Sequence, residues 1–281
     1  MNKYIGPHTG IAGGLYKAPE AAHALGATGF AMFTKNQRQW IAKPITPEES
    51  ELFKRTCSQY GYTADMILPH DSYLINLAQP DDTKRINAVR AFTEELRRVE
   101  QLGLKYLNFH PGSGLGAVPR SESIKRIGMS VRNALQETET AVAVFENTAG
   151  QGDVLGCSID ELRDMIDAAA MPDRCGVCID TCHAYAAGID LSDEKTFDTF
   201  WQEFDQKIGM NMLCGMHIND SKGKLASHLD RHHSLGEGFI GWGLFERIAR
   251  DERFDGIPLV LETPVPEIWA QEIRHLKDIA G

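Results

Sequence analysis

Eight short apolar runs constrain this chain more than any other feature. They cover residues 4–8, 28–34, 64–70, 106–110, 142–147, 176–181, 214–219 and 257–263, each rich in β-branched or other apolar residues. Runs of that length that do not alternate with polar residues fit strands buried on both faces of a parallel sheet. Helical patterns separate them. Thr46-Pro-Glu-Glu49 is a capping-box sequence with proline at the first helical position, and it predicts a helix to about Gly61. Residues 81–103 set Ile86, Val89, Phe92, Leu96 and Val99 on one face, with Gly103 as the stop. Ser158-Ile-Asp-Glu161 predicts a second capping box, and residues 193–209 and 266–280 read as amphipathic helices. Eight strand–helix alternations in 281 residues predict an α/β fold, a (β/α)8 TIM barrel formed as one catalytic domain over residues 1–281. The rival is an open doubly wound sheet, which usually carries a Gly-rich phosphate turn after its first strand. Here that strand ends Gly6-Pro-His-Thr-Gly10, and Gly112-Ser-Gly-Leu-Gly116 reads as loop geometry, so no nucleotide cofactor is expected.

The strand ends carry the chemistry. His70, His110, Glu146, Asp180, His217 and Glu262 close six successive runs at intervals of 40, 36, 34, 37 and 45 residues. Each interval matches one strand–helix unit, so all six open onto the C-terminal mouth of a barrel, where active sites of that fold lie. Any one histidine after an apolar run is an ordinary satisfied polar residue; six polar ends in register are a metal site by ligand type. A second group follows: His183 stands three residues after Asp180, and a later loop holds Asp230-Arg-His232-His233. Together His183, Asp230 and His232 make a further three-ligand set that leaves a coordination position open.

The formal net charge of −10 argues against a protein that coats nucleic acid by phosphate neutralisation. The argument weakens when acidic groups hold cations, because their charge then builds a positive centre in one cleft. The N-terminus shows no basic segment followed by an apolar run, and no stretch approaches a membrane span, so a cytoplasmic protein with no membrane partner is expected. In that compartment the six cysteines are expected to be reduced. Cys175 and Cys178 resemble a redox or zinc pair but lie in an apolar run, and they read as buried small hydrophobes.

Several long blocks resemble endonuclease IV, the zinc-dependent apurinic/apyrimidinic endonuclease family. They are Phe33-Thr-Lys-Asn-Gln-Arg-Gln-Trp40, Leu68-Pro-His-Asp-Ser-Tyr-Leu-Ile-Asn-Leu77, Asn108-Phe-His-Pro-Gly-Ser113, Glu146-Asn-Thr-Ala-Gly-Gln-Gly152, Val177-Cys-Ile-Asp-Thr-Cys-His183, His217-Ile-Asn-Asp-Ser-Lys222 and Asp230-Arg-His-His-Ser-Leu-Gly-Glu-Gly238. One departure is Gly6-Pro-His8-Thr-Gly10, where something closer to Gly-Ala-His-Val-Ser is expected; it bears on the geometry around His8, not on a ligand of the family pattern.

The resemblance implies three zinc ions, with manganese admitted at the third site. His70, His110 and Glu146 would hold the first ion; Glu146, Asp180, His217 and Glu262 the second; His183, Asp230 and His232 the third and more exposed one. It implies hydrolysis of the phosphodiester 5′ to an abasic site in double-stranded DNA and trimming of blocked 3′ ends, by a monomer. Glu146 is the catalytic candidate, orienting or deprotonating the nucleophile. Arg38 and Gln39, and Tyr73 and Leu74, would contact DNA; without the resemblance Arg38 reads as a surface arginine and Tyr73 as a packed loop aromatic. The rival function is a divalent-metal sugar isomerase or epimerase, which would use Glu146, Asp180, His217 and Glu262; the extra set His70, His110, His183, Asp230 and His232 discriminates against it, since an isomerase has no need of a third ion.

Overall fold

The computed structural model describes residues 3–281. Eight parallel strands close into a barrel: β1 (Tyr4–Thr9), β2 (Phe30–Phe33), β3 (Ile67–His70), β4 (Tyr106–Phe109), β5 (Val142–Glu146), β6 (Cys175–Asp180), β7 (Leu213–His217) and β10 (Pro258–Leu261). A separate two-stranded antiparallel ribbon, β8 (Asp220–Ser221) and β9 (His232–His233), sits between the last two of them in sequence. Closure is made by β10 on β1, with Tyr4 opposite Pro258 and Pro7 opposite Leu261. Every apolar run of the sequence overlaps one barrel strand. The helices are α1 (Lys17–Ala24), α2 (Pro47–Gln59), α3 (Asp82–Gln101), α4 (Arg120–Leu135), α5 (Ile159–Ala169), α6 (Thr181–Ala186), α7 (Glu194–Lys207), α8 (Trp242–Arg250) and α9 (Trp269–Ala280). Patterning alone does not delimit α1, α4, α6 or α8. Among the described residues no helix is long and apolar enough to cross a membrane.

Two cores follow from strand alternation. The larger lies between barrel and helices; the smaller fills the barrel with Ala31, Leu68, Val142, Val144, Cys178, Cys214 and Val260. This interior is tight. A Cβ on Gly176 would lie 2.2 Å from Cys214 Sγ, so only glycine fits there. Cys175 faces the outer core and Cys178 the inner one, so the two thiols cannot pair. Burial pushes the Cys175 thiol up to about 12, which suits an inert packing residue.

Helix starts depend on local chemistry. Thr46 Oγ1 accepts from Glu49 N at 3.2 Å, and Glu49 Oε2 accepts from Thr46 N at 2.9 Å, forming the expected capping box. Thr46→Ala is expected to destabilise the fold by about 1 kcal/mol, read as a small drop in thermal midpoint. The second box forms only half. Ser158 accepts from Glu161 N at 3.2 Å, but the Glu161 carboxylate accepts from Gly156 N at 2.8 Å and pairs with Arg120 instead. Along α3, Phe92, Leu96 and Val99 are buried as expected, whereas Ile86 is exposed. At 3.6 residues per turn Ile86 lies roughly 110° round the helix from the centre of that trio, and it lines a surface groove with Met129 of α4.

Candidate metal centre

His70, Glu146, Asp180 and His217 are the last residues of β3, β5, β6 and β7, and His110 and Glu262 directly follow β4 and β10. All six therefore stand at the C-terminal mouth. The remaining three arrive by two local devices. Asp180 caps α6 by accepting from His183 N at 2.8 Å, which turns His183 back over the mouth. Asp230 and His232 come from the ribbon loop, with His232 in β9.

Glu146 is fully buried at the centre of four imidazoles. Its Oε2 lies 3.3 Å from His70 Nε2. Its Oε1 lies 3.5 Å from His110 Nε2, 3.2 Å from His183 Nδ1 and 3.1 Å from His217 Nδ1. His217 Nδ1 is also 3.2 Å from Glu262 Oε2 and 3.9 Å from Asp180 Oδ2, so it gathers the expected second set. Asp230 Oδ1 lies 3.3 Å from His183 Nε2 and 3.4 Å from His232 Nε2. The donor atoms of His70, His110 and Glu146 fall within 4.8 Å of one another, and so do those of His183, Asp230 and His232. A further such group, Glu146, Asp180 and His183, bridges the two. The nine residues singled out in the sequence form one continuous cluster.

These residues fit divalent cations. His70 Nδ1 lies 2.9 Å from Asp71 O and His183 Nδ1 2.9 Å from Asn147 O. Donating N–H to those carbonyls leaves each Nε2 lone pair free to ligate. Among the described residues, buried His217 Nε2 and His232 Nε2 have no hydrogen-bond partner. Imidazoles mixed with carboxylates suit zinc and manganese. The electrostatics agree. Burial opposes ionisation of Glu146, but His217, His110 and His183 overcome it and hold the carboxyl well below the usual range. Burial likewise opposes the charge on Glu262, and His217 and His8 overcome it. Burial disfavours protonated His217, yet Glu146 and Glu262 raise it to about 10. Burial opposes protonation of His70 too, and Glu146 raises it to about 9. Asp230 is lowered to about 2, its burial outweighed by His183 and His232. Glu146, Glu262 and Asp230 are thus held ionised by the positive charge around them.

Several orienting residues were not singled out by the sequence. Asn108 Nδ2 donates to Glu146 Oε2. Asn219 Nδ2 donates to Asp180 Oδ2 at 2.7 Å, and its Oδ1 accepts from Glu262 N at 2.8 Å, tying two ligands together. Asn147 accepts from Asp180 N at 2.6 Å. His8 Nδ1 lies 2.6 Å from Glu262 Oε1. The signal was strand alternation: Asn108 precedes His110 by two, and Asn219 follows His217 by two, so each shares its ligand's face.

The DNA-contact candidates lie at the rim. Tyr73 is exposed, its ring 5.5 Å from that of His70 and 6.0 Å from that of His110. Arg38 and Gln39 are exposed on the loop after β2, in a turn where Asn36 accepts from both backbones. Leu74 turns away from the cluster and lines a groove with Trp40 and Ile41. Gln37, Tyr73 and His232 border a cleft of about 370 Å³ beside His8 and Glu262. A second cleft, of about 240 Å³, opens on the other side between His110, His183 and Asp230.

Comparison with known proteins places this geometry. A family model described as xylose isomerase-like TIM barrel matches residues 19–279. Endonuclease IV from Thermus thermophilus is 31% identical over 98% of this chain and 99% of its own, with a TM-score of 0.84. The 3-keto-D-glucoside 4-epimerase of E. coli (15% identical, 98% and 99% covered, TM-score 0.68) and the D-psicose 3-epimerase of Clostridium cellulolyticum (15%, 100% and 98%, 0.69) share the fold alone. The chain belongs to the xylose isomerase-like TIM-barrel family, and within it is similar to endonuclease IV.

Proposed function

We propose that this chain is a zinc-dependent DNA repair endonuclease, active as a monomeric, single-domain cytoplasmic protein. It hydrolyses the phosphodiester 5′ to an abasic site, leaving a 3′-hydroxyl and a 5′-deoxyribose phosphate, and it trims blocked 3′ ends. One observation carries this reading over the sugar-epimerase alternative. The His183–Asp230–His232 triad stands beside the shared Glu146 and offers a further ligand set that sugar chemistry does not need. The similarity to endonuclease IV supports it independently.

His70, His110 and Glu146 would hold one ion; Glu146, Asp180, His217 and Glu262 a second; His183, Asp230 and His232 a third, zinc or manganese. When bound, such ions supply Lewis-acid charge stabilisation and an acidified water at neutral pH. The chain does the rest. Glu146 is buried and ionised, and it orients or accepts a proton from the attacking water. Asn108 and Asn219 fix the carboxylates against rotation. Tyr73, Leu74, Arg38 and Gln39 would enter the duplex at the lesion, where extrusion costs least because the base is missing.

The purified protein is expected to hold about three ions per chain and to nick an abasic duplex without added magnesium. Chelation should abolish nicking and zinc should restore it. One ion per chain with sugar epimerisation and no nicking would overturn the proposal in favour of the epimerase.

A further inference from the structure

Asp220 is a buried carboxylate to which sequence patterning assigns no role. It is fully buried, and among the described residues no Lys, Arg or His pairs with it. Backbone amides hold it instead. Its Oδ2 accepts from Gly236 N at 2.9 Å, Gly238 N at 3.1 Å and Gly241 N at 3.1 Å. Its Oδ1 accepts from Ile240 N at 2.9 Å and from Ser221 N at 2.7 Å. Successive N–H groups converging on one carboxylate form an anion nest, and hydrogen bonds to a charged acceptor are about twice as strong as neutral ones.

The wrapped segment depends on glycine. Gly236 has φ +79°, and a Cβ on Gly238 would lie 2.4 Å from Asp220 Oδ1. This segment directly follows β9, and β8 pairs with β9 so that Asp220 faces His233 and Ser221 faces His232. Asp220 therefore grips both ends of the loop that carries Asp230 and His232. His183 is fixed separately through α6, so the third triad joins one rigid ligand to two whose place is set by this loop.

We propose that Asp220 is the positioning residue of the third cation site, holding the 222–241 loop so that Asp230 and His232 face His183. The proposal rests on the metal reading above. The test is titration of the metal-free protein with cobalt(II), followed by visible absorption. The unsubstituted protein should take three equivalents. Asp220→Asn replaces one acceptor oxygen with a donor facing N–H groups. That variant should take two equivalents with unchanged affinity and spectrum and bind the third about 10–100-fold more weakly, the range seen when outer-shell partners of a metal are lost. A third equivalent bound as tightly as in the parent would overturn the proposal. Hydrogen exchange on the unsubstituted protein tests the nest without a variant. Gly236, Gly238, Ile240 and Gly241 amides should be protected, and exchange at the rate of an open loop would also overturn it. Fewer than three equivalents in the parent would fail the metal reading instead. Asp220 would then be judged by whether Asp220→Asn speeds exchange at residues 230–232; unchanged exchange there would remove its role.

Discussion

Glu146→Gln is expected to lower abasic-site nicking by about 10²–10⁴-fold, the range for loss of a positioned acid or base, with the affinity for abasic duplex little changed. The substitution keeps the side chain's shape and removes its charge. Glu146 accepts from Asn108 at one oxygen and meets His110, His183 and His217 at the other. A glutamine amide must turn its NH2 toward one of those groups. Toward Asn108 it sets donor against donor; toward the imidazoles it withdraws the anion that their arrangement serves. Loss of a buried carboxylate shared by two cation sets should also cost metal, so bound zinc should fall with activity. DNA affinity should survive because Glu146 is fully buried and duplex binding comes largely from phosphate contacts. Wild-type nicking with full metal content would remove Glu146 from the mechanism. Loss of DNA binding alongside nicking, in a protein of unchanged melting temperature, would show that its role is not confined to chemistry.

The ligand ring was legible because a barrel converts sequence interval into position. A residue that ends a strand must lie at the mouth, whatever the helices do. His183, Asp230 and His232 were less so, since their placement depends on a six-residue helix and a ribbon of two-residue strands that no periodicity announces. Asn108, Asn219 and Asp220 were harder to single out for a different reason. An orienting residue is defined by its partner's atoms, so a place on a ligand's strand face marks a candidate without assigning it a role. Ile86 departs from the expected stripe because the helical angle spreads the five apolar residues of α3 over two faces. The box at Ser158 formed only half because the Glu161 carboxylate is taken by the Gly156 and Cys157 amides at one oxygen and by Arg120, distant in sequence, at the other.

Glu95→Ala is expected to destabilise the fold by about 3–5 kcal/mol, the usual cost of breaking a buried ion pair from one side. Glu95 lies on α3, about as buried as the hydrophobic core. Its Oε1 is 3.2 Å from Lys35 Nζ, and its Oε2 accepts from Thr34 Oγ1 at 2.6 Å. Arg98, one turn on, donates Nε to Thr34 Oγ1 at 3.1 Å and an NH1 to Lys43 O at 3.0 Å. Lys35 Nζ in turn donates to Trp40 O at 3.2 Å. Truncating Glu95 removes the ion-pair partner of Lys35, which is only 5% exposed. Replacing both partners with apolar residues, as in Lys35→Met with Glu95→Leu, should recover most of the stability, because the desolvation cost leaves with the pair. The same double variant should not recover function. These contacts bracket residues 34–43, the loop that presents Arg38 and Gln39, and the hold of Lys35 on Trp40 is lost in the double variant. Thermal melts should therefore separate the single and double variants, while binding to abasic duplex is weakened in the double variant despite its recovered stability. A single variant within about 1 kcal/mol of the parent, judged against a pair expected to cost about 3–5, would mean that water reaches Lys35. Full DNA affinity in the double variant would mean that the loop is held by its own turns at Asn36, whose side chain and carbonyl already accept from Arg38 and Gln39.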